Sequence, residues 1–441
     1  MKTTYLSAAL LGAALTAQAA DQPAPAKPTP ATSYGHPGTN FDEAKVGDLP
    51  IPDVLTAPNG EKITTKEAWE KHRAELLDLF AKEEYGKTPG GRPANFGVEL
   101  ISENKQALGG KATLRQVALY FKDKSEPHAD VLLYLPNQNK APAPVFVSLN
   151  FTGNQSVTND PSIQLSKGWF RNDEKKGYVN HQATDATRNA AGERWPIEEI
   201  IARGYGVATA YYGDFEPDTP EGLPKGVRPL FYKEGQTAPE ADEWGAIGAW
   251  AWGLSRMADY LNTVPEVNHQ HLAVLGHSRL GKTALWAGAQ DERFSIVISN
   301  CSGASGAALS KRIFGETCAN IIKSFPHWMC QNFRKYGDNE AALPMDQHQL
   351  IALMAPRPVY IASATEDLWA DPKGEFLAGK LANPVYALYG EKGLSADAPP
   401  APDTSVGDYI GYHARTGKHN ILLFDWQQYM NFADRHWGKP E

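Results

Sequence analysis

Apolar and polar positions along this chain follow distinct rhythms. Residues 21–41 are Pro/Ala/Thr-rich with almost no apolar pattern, which predicts an extended linker. Order is expected from Asp42. Thr64-Thr65-Lys66-Glu67 has the form of a capping box, Trp69, Leu76, Leu77 and Phe80 follow at helical spacing, and Gly86 is the stop. Val117–Phe121, Val131–Leu135 and Pro144–Leu149 read as strands. After residue 195 the rhythm alternates between strand and helix. Ile197–Arg203 is a helix and Tyr205–Tyr211 a strand. Thr237-Ala238-Pro239-Glu240 is a second capping box. Behind it Trp244, Ile247, Ala251, Leu254, Ala258 and Leu261 mark an amphipathic helix of about six turns. Leu272–Leu275, Phe294–Ser299, Val359–Ala362 and Ile410–Arg415 read as strands, Arg279–Gln290 and Asp425–His436 as helices. The alternation implies a mostly parallel sheet between two helical layers, an α/β/α sandwich forming one domain over 42–441. Ser302–Leu350 does not fit the alternation and reads as an insertion over the sheet edge.

Composition narrows the function classes. The 42 % hydrophobic and 21 % charged residues suit a packed globular protein rather than a disordered one. A formal charge of −8 without a basic run argues against nucleic-acid binding. Lys2, the apolar run Leu6–Leu15 and Ala17-Gln18-Ala19 have the form of a signal peptide over residues 1–20, so the protein is expected to be exported, periplasmic or extracellular. No later stretch has the apolar length of a membrane span. The three cysteines, Cys301, Cys318 and Cys330, are too few for a disulfide scaffold, although Cys318–Cys330 is one pairing open to them.

The sharpest chemical signal is Leu272-Ala273-Val274-Leu275-Gly276-His277-Ser278-Arg279-Leu280-Gly281-Lys282. An apolar strand runs through Gly-x-Ser directly into a helix, which lifts a serine hydroxyl above the strand ends at a helix N-terminus. The usual Gly-x-Ser-x-Gly is shifted, with Leu280 at the expected glycine and Gly281 one residue later. Serine needs a base, and the base needs an orienting carboxylate; in an α/β-hydrolase fold they follow in the order acid, then histidine. Glu366 and Asp367, after the strand at Val359, are the acid candidates, and Asp367 is preferred for its position in the turn. His419, in the loop after the last strand, is the base, whereas His413 inside that strand reads as a buried structural histidine. His277 reads as shaping the turn, and His269 and His271 as a polar lead-in rather than metal ligands. The Arg279 N–H, and its side chain if folded back, would form an oxyanion hole. Asn150–Asn154 is a further candidate wall of the site.

Gly276-His277-Ser278-Arg279-Leu280-Gly281-Lys282 resembles the G-C-S-R-x-G-K signature of glucuronoyl esterases, carbohydrate esterase family fifteen. The similarity continues through Ala362–Pro372 and Gly411–His419 and runs from Trp69 to Trp437, closest to the bacterial branch. The resemblance implies hydrolysis of the ester between 4-O-methyl-glucuronic acid of xylan and a lignin alcohol, by a serine triad without metal or cofactor. It implies Ser278 as nucleophile, His419 as base, Arg279 as oxyanion stabiliser, and Lys282, Glu316 and Trp369 as sugar contacts. It implies a glucuronate ester of xylan or of a lignin–carbohydrate complex as partner, with no nucleic acid or membrane; a monomer is expected. The sequence departs from fungal members, whose triad glutamate falls where Cys301 stands, so the acid must come from the later strand, supporting Asp367. The fungal turn cysteine is replaced by His277. The alternative readings are another exported carbohydrate esterase, such as an acetyl xylan esterase, and a non-catalytic carbohydrate-binding protein.

Overall fold

In each central strand, alternate side chains enter different cores. Val145, Val147 and Leu149 join one apolar cluster and Phe146 the other; Leu272 and Val274 face one side, Ala273 and Leu275 the opposite. This two-sided burial is why these strands read as continuous apolar runs. The computed structural model describes residues 1, 38–47, 50–57, 59–124 and 127–441; the leader and most of the linker lie outside the described residues.

The main sheet has nine strands: β1 (Gly97–Gln106), β2 (Ala112–Tyr120), β3 (His128–Pro136), β4 (Ala143–Asn150), β5 (Gly206–Tyr211), β6 (Val267–His277), β7 (Phe294–Asn300), β8 (Val359–Ala364) and β9 (Ile410–Arg415). They lie in the order β1-β2-β3-β5-β4-β6-β7-β8-β9. The first three pair antiparallel, β3 pairs antiparallel with β5, and the remaining pairs are parallel. One face is covered by Lys66–Phe80, Ala246–Leu261, Arg279–Gln290 and Pro372–Leu388, the other by Ile197–Ala202 and Leu423–Trp437. The expected α/β-hydrolase sandwich is therefore present. Since β4 to β9 run the same way, the loops after all of them gather at one edge, where ligands bind in open α/β sheets.

Several local expectations need correction. The motif at Thr237–Glu240 starts no helix. The helix there is Ala246–Leu261, with Gly245 as N-cap. Its first amides are satisfied by distant carbonyls: Ala246 N–H donates to His327 O at 2.8 Å and Ile247 N–H to Trp328 O at 3.1 Å. It is also buried almost all round, with Ser255 and Asp259 the partly exposed positions, rather than amphipathic. At the first motif Thr65 caps the helix by accepting from Ala68 N–H, and the helix ends in a wider π-type turn over Ala81–Tyr85 before Gly86. The three cysteines are buried and unpaired, so the Cys318–Cys330 bridge does not form. No helix among the described residues is long and apolar enough to cross a membrane.

Candidate active site

Ser278 sits at the sharpest point of the β6-to-helix turn, with φ 59° and ψ −131°. Few non-glycine residues adopt such a backbone, and the surrounding packing must hold it. Gly276 makes the turn sterically feasible, because a Cβ there would collide with the Leu280 carbonyl. The Ser278 N–H donates to Asn300 O at 2.8 Å, tying the turn to the end of β7. Arg279 is the first helical residue, so its N–H belongs to the amides that have no intrahelical acceptor.

The loops after β8 and β9 are laced together. Thr365 N–H donates to Arg415 O and Glu366 N–H to Gly417 O, both at 2.9 Å. The Arg415 guanidinium bonds the carbonyls of Thr416, Lys418 and Asn420 and the Asp425 carboxylate. That grip fixes the short loop carrying His419. Its Nδ1 lies 2.5 Å from Asp367 Oδ2. Asp367 is buried, whereas Glu366 is exposed. His413, as expected, is buried and structural, bonded to Tyr360 Oη at 2.9 Å and Asp425 Oδ1 at 2.9 Å.

Ser278, Arg279, Lys282, Glu316, Asp367, Trp369 and His419 all line one open cavity of about 450 Å³. The insertion contributes its far wall through Phe325 and Trp328, and Phe151 after β4 supplies the near wall. Arg279 is folded back into this cavity rather than extended into solvent. Its guanidinium lies over Trp328 at 4.7 Å and Phe325 at 5.1 Å and pairs with Asp218. Asp218 in turn accepts from Tyr212 Oη–H at 2.9 Å and Trp328 Nε1–H at 2.8 Å, and lies 2.8 Å from His327 Nε2. Burial pushes the Asp218 carboxyl up, but Arg279, His327 and Trp328 together more than offset this and hold it well below the usual carboxylate range. The result is a fixed cation beside the serine.

Residues 231–390 match the model of the fungal glucuronyl esterase family. A carbohydrate esterase from an unknown prokaryotic organism is 49 % identical, over 91 % of this chain and 93 % of its own length. A glucuronoyl esterase structure from Solibacter usitatus superposes with a TM-score of 0.86 at 46 % identity, covering 90 % of this chain and all of that one. The chain belongs to the glucuronoyl esterase family. A 4-O-methyl-glucuronoyl methylesterase of Wolfiporia cocos is 31 % identical over 66 % of this chain and 68 % of its own length. The protein is thus a carboxylic ester hydrolase.

Further groups surround the cavity of this esterase. His277 lines it, with its ring 4.5 Å from that of His419 and its Nδ1 2.5 Å from Asn300 Oδ1. Burial, with the neighbouring His419 and Arg194, keeps the His277 imidazole well below its ordinary pKa, so a neutral ring packs against His419. Cys301 has φ 48°, lines the cavity and brings its Sγ within 4.8 Å of ligand atoms of Asp367 and His419. Beneath it, fully buried Glu375 accepts from the N–H groups of Ser302 at 2.7 Å and Gly303 at 3.1 Å and from Ser363 Oγ–H at 2.5 Å. Burial pushes its carboxyl up to about 8. Lys282 is buried and hydrogen-bonds Glu316 Oε2 at 2.6 Å, Ser302 O at 2.6 Å and Ala304 O at 2.5 Å. Those three contacts use all three ammonium donors. Asn150, from the candidate wall read in the sequence, instead bonds Asn154 beneath the loop, and Phe151 is the residue that reaches the cavity. His269 and His271 lie away from it, bonded to Val264 O and stacked on Trp437 respectively.

Proposed function

We propose that the protein is an exported, monomeric serine esterase that cleaves the ester between 4-O-methyl-D-glucuronic acid of glucuronoxylan and lignin alcohols. The observation that carries this reading is the Asp367–His419 contact in the cavity that also holds Ser278 and Arg279. With Nδ1 committed to Asp367, His419 Nε2 takes the proton of Ser278 as Oγ attacks the ester carbonyl. Negative charge develops on the carbonyl oxygen, where the Arg279 N–H and guanidinium stabilise it. His419 then protonates the leaving alcohol, and water attacks the glucuronoyl-serine ester by the same steps in reverse. Asp218 acts through Arg279, holding the guanidinium at one place so that no reorganisation is needed as charge develops. Lys282 holds Glu316, whose carboxylate accepts from sugar hydroxyls, and Trp369 forms the wall beside it. Residues 1–20 support export through their leader-like pattern.

Benzyl D-glucuronate, benzyl D-galacturonate and an acetylated xylo-oligosaccharide, assayed in parallel, test the substrate reading. Glucuronate is expected to lead in kcat/KM by about tenfold or more, because an epimer leaves a sugar-facing polar group unpaired. Acetate release without uronate-ester turnover would assign the site to acetyl esters instead.

A further inference from the structure

A second cavity, of about 400 Å³, opens at the same sheet edge beside the start of β3 and the end of β5. Because β3 runs antiparallel to β5, its first residues share that edge with Ser278. The strands β3, β5, β4 and β6 are consecutive neighbours, so three interstrand steps, about 14 Å, separate the two ends of this row. One loop walls both cavities: Asp214 and Pro217 line the second, while Asp218 holds Arg279 in the first.

The lining combines an aromatic plane with hydrogen-bonding and charged groups. Trp169 supplies a half-buried indole. His181 stacks behind it, with ring centroids 5.0 Å apart and planes 20° from parallel. The Trp169 carbonyl accepts from Tyr211 Oη–H at 2.8 Å, and the next residue, Phe170, stacks on Tyr211 at 4.2 Å. The indole is therefore preorganised. Around it stand Asp214, Asp130 with His128 Nε2 3.5 Å from its Oδ1, the exposed amide of Gln182, and the exposed ammonium groups of Lys167 and Lys225. Gly168 lets the chain pass against Asp214, since a Cβ there would collide with its carboxylate. Two carboxylates stand against two ammonium groups, with the His128 imidazole beside Asp130, so neither sign of charge dominates. Such a lining suits a neutral polyhydroxylated ring better than an anion, with donors and acceptors for its hydroxyls and an apolar face for its C–H bonds.

We infer that this cavity is an accessory subsite for neutral pyranose units of the polysaccharide main chain, engaged while the glucuronate side group occupies the Ser278 cavity. The inference rests on the proposed substrate being borne on a polysaccharide. Two sites on one rigid edge would raise the effective concentration of a polymeric ester at Ser278, an advantage a small ester cannot share.

The test uses xylohexaose binding by calorimetry, with kcat/KM on benzyl glucuronate and on a xylan-borne glucuronate ester. Trp169→Ala is expected to weaken xylohexaose binding and lower kcat/KM on the polymeric ester, each by roughly five- to tenfold, while benzyl glucuronate turnover stays unchanged. Trp169→Phe, which keeps an aromatic face, is expected to recover most of both losses. Unaltered xylohexaose affinity in Trp169→Ala, or no binding by the wild type, would overturn the subsite. If Trp169→Ala weakens xylohexaose binding but wild type hydrolyses neither ester, the subsite stands and the esterase substrate reading falls.

Discussion

Replacing Ser278 with alanine lowers kcat for a glucuronate ester by roughly 10⁵-fold, with the melting temperature and ester binding retained. The magnitude follows from losing the nucleophile of a group that acts as a unit; binding and oxyanion contacts alone leave a small residual rate. The fold is expected to tolerate the change, because the turn is held by backbone bonds from Ser278 N–H to Asn300 O and from Gly281 N–H to Ser278 O. Alanine at φ 59° keeps the same strain without adding bulk. Steady-state kinetics and a thermal melt on the same preparation check it. A loss of less than about tenfold would mean that another group attacks the ester.

The second large effect separates two adjacent carboxylates. Asp367→Asn is expected to lower kcat by about 10³- to 10⁴-fold, because an amide no longer fixes the His419 tautomer or balances its charge in the transition state. Glu366→Gln is expected to stay within about twofold, since its side chain is exposed and its main contact is its backbone N–H with Gly417. Initial rates of the two variants, with KM measured separately, decide the matter. A larger loss in Glu366→Gln would reverse the assignment of the acid.

The choice between these neighbours shows what the sequence could and could not tell. The Ser278 turn was legible because its determinants are local: an apolar strand, a glycine that must lack a Cβ, and a helix directly after. The strand periodicity likewise announced a sheet buried on both faces. Asp367 rather than Glu366 meets His419 because of turn geometry: Asp367 N–H donates to Ala364 O, and its side chain faces a loop 52 residues away. The Arg279 anchor was invisible, because Asp218, His327 and Trp328 come from two loops distant in sequence and carry no motif. The misplaced helix start near residue 240 has the same origin, for its amides are capped by carbonyls of that His327–Trp328 segment. Lys282 is legible from its place in the motif, but its contacts with Glu316 and with the Ser302 and Ala304 carbonyls follow from packing.

A glucuronoyl-enzyme formed on Ser278 would show itself in product partitioning. Glucuronate esters of several alcohols are hydrolysed at one fixed methanol concentration, and the ratio of methyl ester to free acid is measured for each. A common acyl-enzyme forgets its leaving group, so one ratio is expected for every ester, with no methanol capture by Ser278→Ala. A ratio that varies with the leaving alcohol would contradict a shared covalent intermediate.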